Sequence, residues 1–118
     1  MADDGRTVTF SVADRRTVNA RLRSAMSGRK GSDQISFASA ELLMRVLTTK
    51  RLEILQAMAG QGALTIRRIA ALVDRDIKPV HGDATALLKA GVLDKAERGV
   101  EFPYDAVRVD FTLTKTAA

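Results

Sequence analysis

The sequence contains no cysteine and no tryptophan, one tyrosine (Tyr104), one histidine (His81) and two prolines. Without cysteine there is no disulfide, no thiolate nucleophile and no Cys-containing zinc site. With His81 alone, a multi-histidine metal centre is excluded as well. Aromatic residues make up only 4% of the chain, which argues against stacking recognition of single-stranded nucleic acid, since that chemistry needs aromatic platforms. The core is left to Leu, Ile, Val, Ala and Met. No apolar run approaches the ~18 residues of a membrane span, and the first residues lack a signal-peptide pattern. The expectation is a soluble, cytoplasmic protein without membrane contact. Also lacking are an activated nucleophile, a metal-ligand set and a phosphate-cradling glycine loop, so neither an enzyme nor a cofactor is expected.

What is present is one domain's worth of chain, 118 residues with ordinary apolar and charged content. Lysine and arginine number 19 against 14 acidic residues, a net charge of +5 that favours a polyanionic partner. Residues 1–37 carry seven basic and four acidic side chains, residues 38–118 twelve and ten, so the relative excess lies at the N-terminus.

From Thr7 to Val12, Val8, Phe10 and Val12 alternate with Thr7, Thr9 and Ser11, a period of two that predicts a short strand. Asp14 can cap a basic helix to about Met26, with Val18, Leu22 and Met26 along one face. Residues 27–36, rich in Gly, Ser, Arg, Lys and Asp, read as a linker. The chain is thereby divided into an N-terminal arm, 1–36, and a domain, 37–114.

In that domain Ala38–Leu47 has a helical pattern, offering Leu42, Leu43, Val46 and Leu47 to the core. Thr48 or Thr49 caps the next helix, which carries Leu52, Ile54, Leu55 and Met58 and ends at Gly60-Gln61-Gly62. Thr65 caps a short helix with Ile66, Ile69, Ala70 and Val73, which stops at Asp74-Arg75-Asp76. A further helix begins near Lys78 or Pro79, where proline suits the first turn. It buries Val80, Ala84, Leu87 and Leu88, and Gly91 ends it. Val92 to Phe102 then form a hairpin turning at Arg98-Gly99, and Val107, Val109, Phe111 and Leu113 mark a last strand with one wet face.

Helices followed by a hairpin are the order of a winged helix-turn-helix domain. The predicted class is mainly α with a β-hairpin wing (α+β), with the N-terminal strand and helix appended. The chain resembles the small winged helix-turn-helix regulators of archaea and bacteria related to the MarR and ArsR groups. The resemblance spans Phe37 to Leu113 and rests on LTTKRLEIL at 47–55, TIRRIA at 65–70, RDIKPVHGD at 75–83, LLKAGVL at 87–93 and Phe102-Pro103-Tyr104. It implies a sequence-specific regulator, a dimeric repressor on double-stranded DNA, with helix 79–90 in the major groove and the 92–102 hairpin as wing. Some similar proteins look like antitoxins, so the alternative is an antitoxin or interaction module whose winged helix and arm hold a partner such as a toxin.

The residues expected to meet DNA follow from exposure and charge. Lys78, His81, Thr85 and Lys89 lie mostly opposite the buried stripe of helix 79–90 and would face bases and phosphates. Arg67 and Arg68 lie in the first turn of the shorter helix, where backbone N–H groups also suit a phosphate. Lys95 and Arg98 sit on the hairpin, in reach of the minor groove or backbone. Similar proteins carry a longer polar residue where Gly82 stands, which removes one contact here. Asp83 would repel phosphate unless paired, and is read as a partner of Arg75 or Arg51. The basic helix over 14–26 is read as a dimer or partner contact.

Overall fold

A computed structural model of the chain describes residues 5–13 and 33–112. The helix expected over 14–26 lies outside these residues, as does Leu113. Among the described residues the elements in chain order are β1 (Thr7–Val12), β2 (Asp33–Phe37), α1 (Ala40–Val46), α2 (Thr49–Met58), β3 (Ala63–Leu64), α3 (Ile66–Val73), α4 (Ile77–Lys89), β4 (Asp94–Ala96), β5 (Gly99–Glu101) and β6 (Ala106–Asp110). They form an α+β fold with two three-stranded sheets.

Helix starts are set by local chemistry. Ser39, Thr48 and Thr65 each have extended backbone, and their hydroxyls accept from the N–H of Leu42, Arg51 and Arg68. Asp76 occupies the same position before α4, without a side-chain bond, so α4 starts at Ile77, slightly earlier than expected. The ends of α3 and α4 share one device. Arg75 N–H donates to Ala70 O at 3.0 Å around Asp74, and Val92 N–H to Leu87 O at 2.9 Å around Gly91. Both bonds require a left-handed residue between helix and exit: Gly91 has φ +80°, and Asp74 takes φ +54° without being glycine. The α3–α4 turn is therefore tight and turned sharply.

The second sheet is antiparallel, in the order β3-β5-β4, with Leu64 opposite Val100 and Ala96 opposite Gly99. The pairing of Ala96 with Gly99 makes Glu97-Arg98 the turn residues, one position earlier than the expected Arg98-Gly99. Gly99 opens β5 at φ +110°, and a Cβ there would collide with the backbone of Leu64 and Thr65. The two-residue β3 was too short to show in the sequence pattern.

The first sheet is parallel, in the order β2-β1-β6, with Val8 opposite Val107 and Phe10 opposite Val109. This corrects the picture of an appended strand and a linker. β1 is the central strand, and residues 33–36 of the expected linker join Phe37 in β2, so the boundary foreseen at 36/37 falls inside a strand. Val8 and Phe10 have no solvent exposure and belong to one apolar cluster with Leu43 of α1, Leu47 just past its end, Ile54, Leu55 and Met58 of α2, and Val80 and Leu87 of α4. Phe10 meets Phe37 edge to face, ring centroids 6.1 Å apart. Burial explains the position: an alternating strand with two fully apolar side chains is stable only where that face is covered. α1 also differs in detail. It turns Leu43 inward, with Leu47 buried just past its end, and Leu42, expected in the core, stays 38% exposed.

Where β1 starts, it is tied to the far end of the chain. Asp105 accepts from Arg6 N–H at 2.8 Å and donates its own N–H to Arg6 O at 2.7 Å. The Arg6 guanidinium pairs with Asp33 of β2 at 2.8 Å and lies over Tyr104, 5.0 Å from the ring centroid. Its pKa is raised, chiefly by the hydrogen bond and charge of Asp33.

Two stability outcomes follow. Phe10→Ala removes a fully buried ring and should cost about 3–5 kcal/mol in urea unfolding; a cost near zero would return β1 to the status of an arm. Gly99→Ala should cost about 2 kcal/mol or more, because the backbone of Leu64 and Thr65 has no room to retreat. Thermal unfolding measures that loss.

Candidate nucleic-acid interface

α4 has two faces. Val80, Ala84 and Leu87 are fully buried. Lys78, Gly82, Thr85 and Lys89 recur at i, i+4, i+7 and i+11, which at 3.6 residues per turn draws one stripe on the opposite side. Lys78, His81, Gly82 and Lys89 are exposed, and Thr85 is half-buried. The Thr85 hydroxyl donates to the carbonyl of His81 at 2.8 Å, so its proton is spent on its own helix and its oxygen remains an acceptor. A Cβ at Gly82 would meet nothing within 4 Å. The glycine therefore answers no packing need inside the fold, although it costs ~1 kcal/mol relative to alanine in a helix.

Asp83 follows Gly82 but does not project with this stripe. Its carboxylate accepts from Arg51 Nε of α2 at 3.0 Å and from Arg75 Nη2 of the α3–α4 turn at 2.9 Å. Both of the arginines foreseen as alternatives hold it at once. Arg51 also donates through Nη1 to the carbonyls of Val46 at 3.1 Å and Arg45 at 3.4 Å, where α1 ends. The three side chains are only 15–21% exposed. One carboxylate between two guanidinium groups leaves local positive charge, and Arg75 Nη1 is buried without a hydrogen-bond partner.

The remaining candidates occupy α3 and the hairpin. Arg67 and Arg68 are exposed at the start of α3. Arg68 N–H is bonded to the Thr65 hydroxyl at 3.1 Å, the expected cap, so that backbone donor is not available to a phosphate. Arg98 is exposed in the β4–β5 turn, and the neighbouring Gly99 abuts Leu64 and Thr65, which brings the hairpin turn beside the start of α3. Lys95 is exposed on β4. The hairpin also carries the exposed Asp94 and Glu97, so it is not a purely basic surface. The sequence reading missed the exposed Ile77, which is 47% accessible beside Lys78. It looked like an ordinary apolar residue ahead of the helix, with no periodic signal to set it apart.

Among the described residues no group of three or more His, Asp or Glu side chains is placed to hold a metal ion, and no helix is long and apolar enough to cross a membrane. A hollow between α2 and the turn, bounded by Lys50, Ala70, Asp74, Arg75, Asp76 and Pro79, is broad and open.

The segment from the end of α1 through most of β6 defines the chain's relationships. The chain belongs to the HVO_A0114 family, whose sequence model matches residues 46–109. No curated protein and no solved structure matches it.

The ion network makes a test of how α4 is held. Asp83→Ala leaves two mostly buried guanidinium groups facing each other and should cost about 3 kcal/mol in chemical denaturation. A loss below about 1 kcal/mol would reduce the network to the level of solvent-exposed pairs.

Proposed function

We propose that this protein is a winged helix-turn-helix DNA-binding regulator, with α4 as the helix that enters the major groove and the β4–β5 hairpin as the wing. The element order supports the reading: α2, β3, α3, α4, β4, β5, with β3 closing the sheet against β5, is the order of winged domains. The resemblance to MarR- and ArsR-related regulators points the same way. Binding rather than catalysis is its role, in the cytoplasm, as a dimeric repressor without cofactor.

The observation that carries the reading is the outer stripe of α4. It offers Lys78 and Lys89 at its two ends, with His81 and Thr85 between them and no side chain at Gly82. The one acid within α4, Asp83, is drawn inward by Arg51 and Arg75 and so does not repel phosphate from this face. Arg67, Arg68 and Arg98 flank it as phosphate contacts, and Lys95 adds a further contact on the hairpin.

The alternative reading, an antitoxin or interaction module, drew on a strand and basic helix outside the core. β1 lies inside the core, so the strand no longer favours that reading.

Selection from random duplexes, repeated at two salt concentrations, tests the proposal. A palindrome with half-sites about one helical turn apart should be enriched, and binding should weaken steeply with salt. Lys78→Ala and Lys89→Ala should each weaken binding, with the salt slope falling by about one for each phosphate left unneutralised. No enrichment at either salt concentration, or unchanged titrations for both variants, rejects this use of α4.

A further inference from the structure

We propose that the free edge of β6 pairs antiparallel with β6 of a second copy of this chain, in a register centred on Val109. Three observations meet at this edge. β6 is bonded to β1 on one side, and no strand among the described residues covers the other. Arg108 and Asp110 are both exposed, and neither has an ion-pair partner among the described residues. Val109 shares the face of Phe10, yet it is 44% exposed and opens on a groove of about 400 Å³ along α2, bounded by Leu52, Gln56 and Ala59.

Solitary edge strands are usually protected by charged residues, lysine above all, by proline, by bulges or by a covering element. β6 carries one charge of each sign, two residues apart. A two-fold axis through Val109 sets Arg108 opposite Asp110 of the partner subunit, and Asp110 opposite Arg108 of the partner subunit. The same register sets Val109 against its own counterpart and Val107 against Phe111 of the partner subunit, one residue past the end of β6. The apolar row of the core face then continues across the junction, above the groove beside α2. Centring the pair on Arg108 or Asp110 puts like charges face to face, which is unfavourable. β2, the other edge, lacks this pattern: its one charged residue, Asp33, is already paired with Arg6. The resulting sheet runs β2-β1-β6-β6-β1-β2, parallel within each subunit and antiparallel at the seam, a mixed arrangement that large sheets tolerate.

This inference takes from the functional reading above only the number of subunits. The β6 edge and the α4 stripe use different residues, so the two are separable by experiment. Sedimentation velocity without DNA, on the full chain, compares the wild type with R108D, D110R, the double variant R108D/D110R and an equimolar mixture of the two single variants. Far-UV circular dichroism confirms the fold of each; both side chains are exposed, so the fold should survive. The wild type should sediment as a dimer. Each single variant sets like charges opposite each other at the seam and should self-associate about tenfold more weakly or not at all. The double variant and the mixture both restore opposite charges at every pair and should recover the dimer. A monomeric wild type, single variants as dimeric as the wild type, or no recovery in the mixture would overturn the pairing. A monomer that still binds duplex DNA keeps α4 as the DNA-contacting helix but removes the dimer and its paired half-sites; a dimer that binds none leaves the pairing standing without the functional reading.

Discussion

The carboxylate of Asp83, held between Arg51 and Arg75, is the interaction on which the arrangement of helices depends. Its three participants come from α2, the α3–α4 turn and α4, and Arg51 reaches further to the last carbonyls of α1. Removing such groups from water is expensive, and Asp83 offsets that cost only while both guanidinium groups stay within hydrogen-bond reach of it. The network therefore tolerates one relative placement of these helices and opposes sliding between them. Arg75 reaches its position because Asp74 adopts the left-handed conformation that folds the chain back. A backbone irregularity in the turn and an ion pair in the interior are thus parts of one device.

A second constraint, the parallel sheet, is non-local. β6 ends the segment matched by the family, but the strand it bonds to, β1, comes from the other end of the chain. Parallel neighbours cannot be joined by a short turn, so the ladder must be closed by distant pieces. Asp105 and Arg6 do this with reciprocal backbone and side-chain bonds at the start of both strands. Arg6 adds the bridge to Asp33, which brings in β2. The apolar cluster then runs without a break from Val8 and Phe10 to Val100 and Phe102 of the hairpin.

What was readable in the sequence was local. Thr48, Thr65 and Gly91 announce helix ends because their effect is exerted within a few residues, and the pairing of Asp83 was legible because an unpaired acid on a helix expected to face DNA would repel phosphate. The alternation from Thr7 to Val12 showed a strand but not its neighbours, since nothing within the strand names a partner some hundred positions away. β2 was hidden by its surroundings: Asp33-Gln34-Ile35-Ser36-Phe37 follows a Gly- and Ser-rich stretch, and its polar residues look like more of the same. Leu42 and Leu43 are equivalent by composition, and only the phase of α1 decides that Leu43 turns inward. At the candidate site, the outward stripe of α4 was predictable from period, whereas the bond from Thr85 to the His81 carbonyl was not.

Gly82 bears most directly on how α4 would meet a duplex. Nothing inside the fold needs a glycine there, because the space beyond its Cα is open, and a helix interior penalises it. A bare backbone at the middle of the stripe lets another surface come closer than any side chain would allow. It also withholds a side chain from the base edges, and the Thr85 hydroxyl can only accept. Lys78 and Lys89 at the ends of the stripe are point charges better suited to phosphates than to bidentate base contacts. In the proposed complex this stripe would leave His81 and the Thr85 acceptor to distinguish bases. Sequence discrimination there must then come from two subunits reading two half-sites and from the shape of the duplex between them, more than from any one side chain of α4.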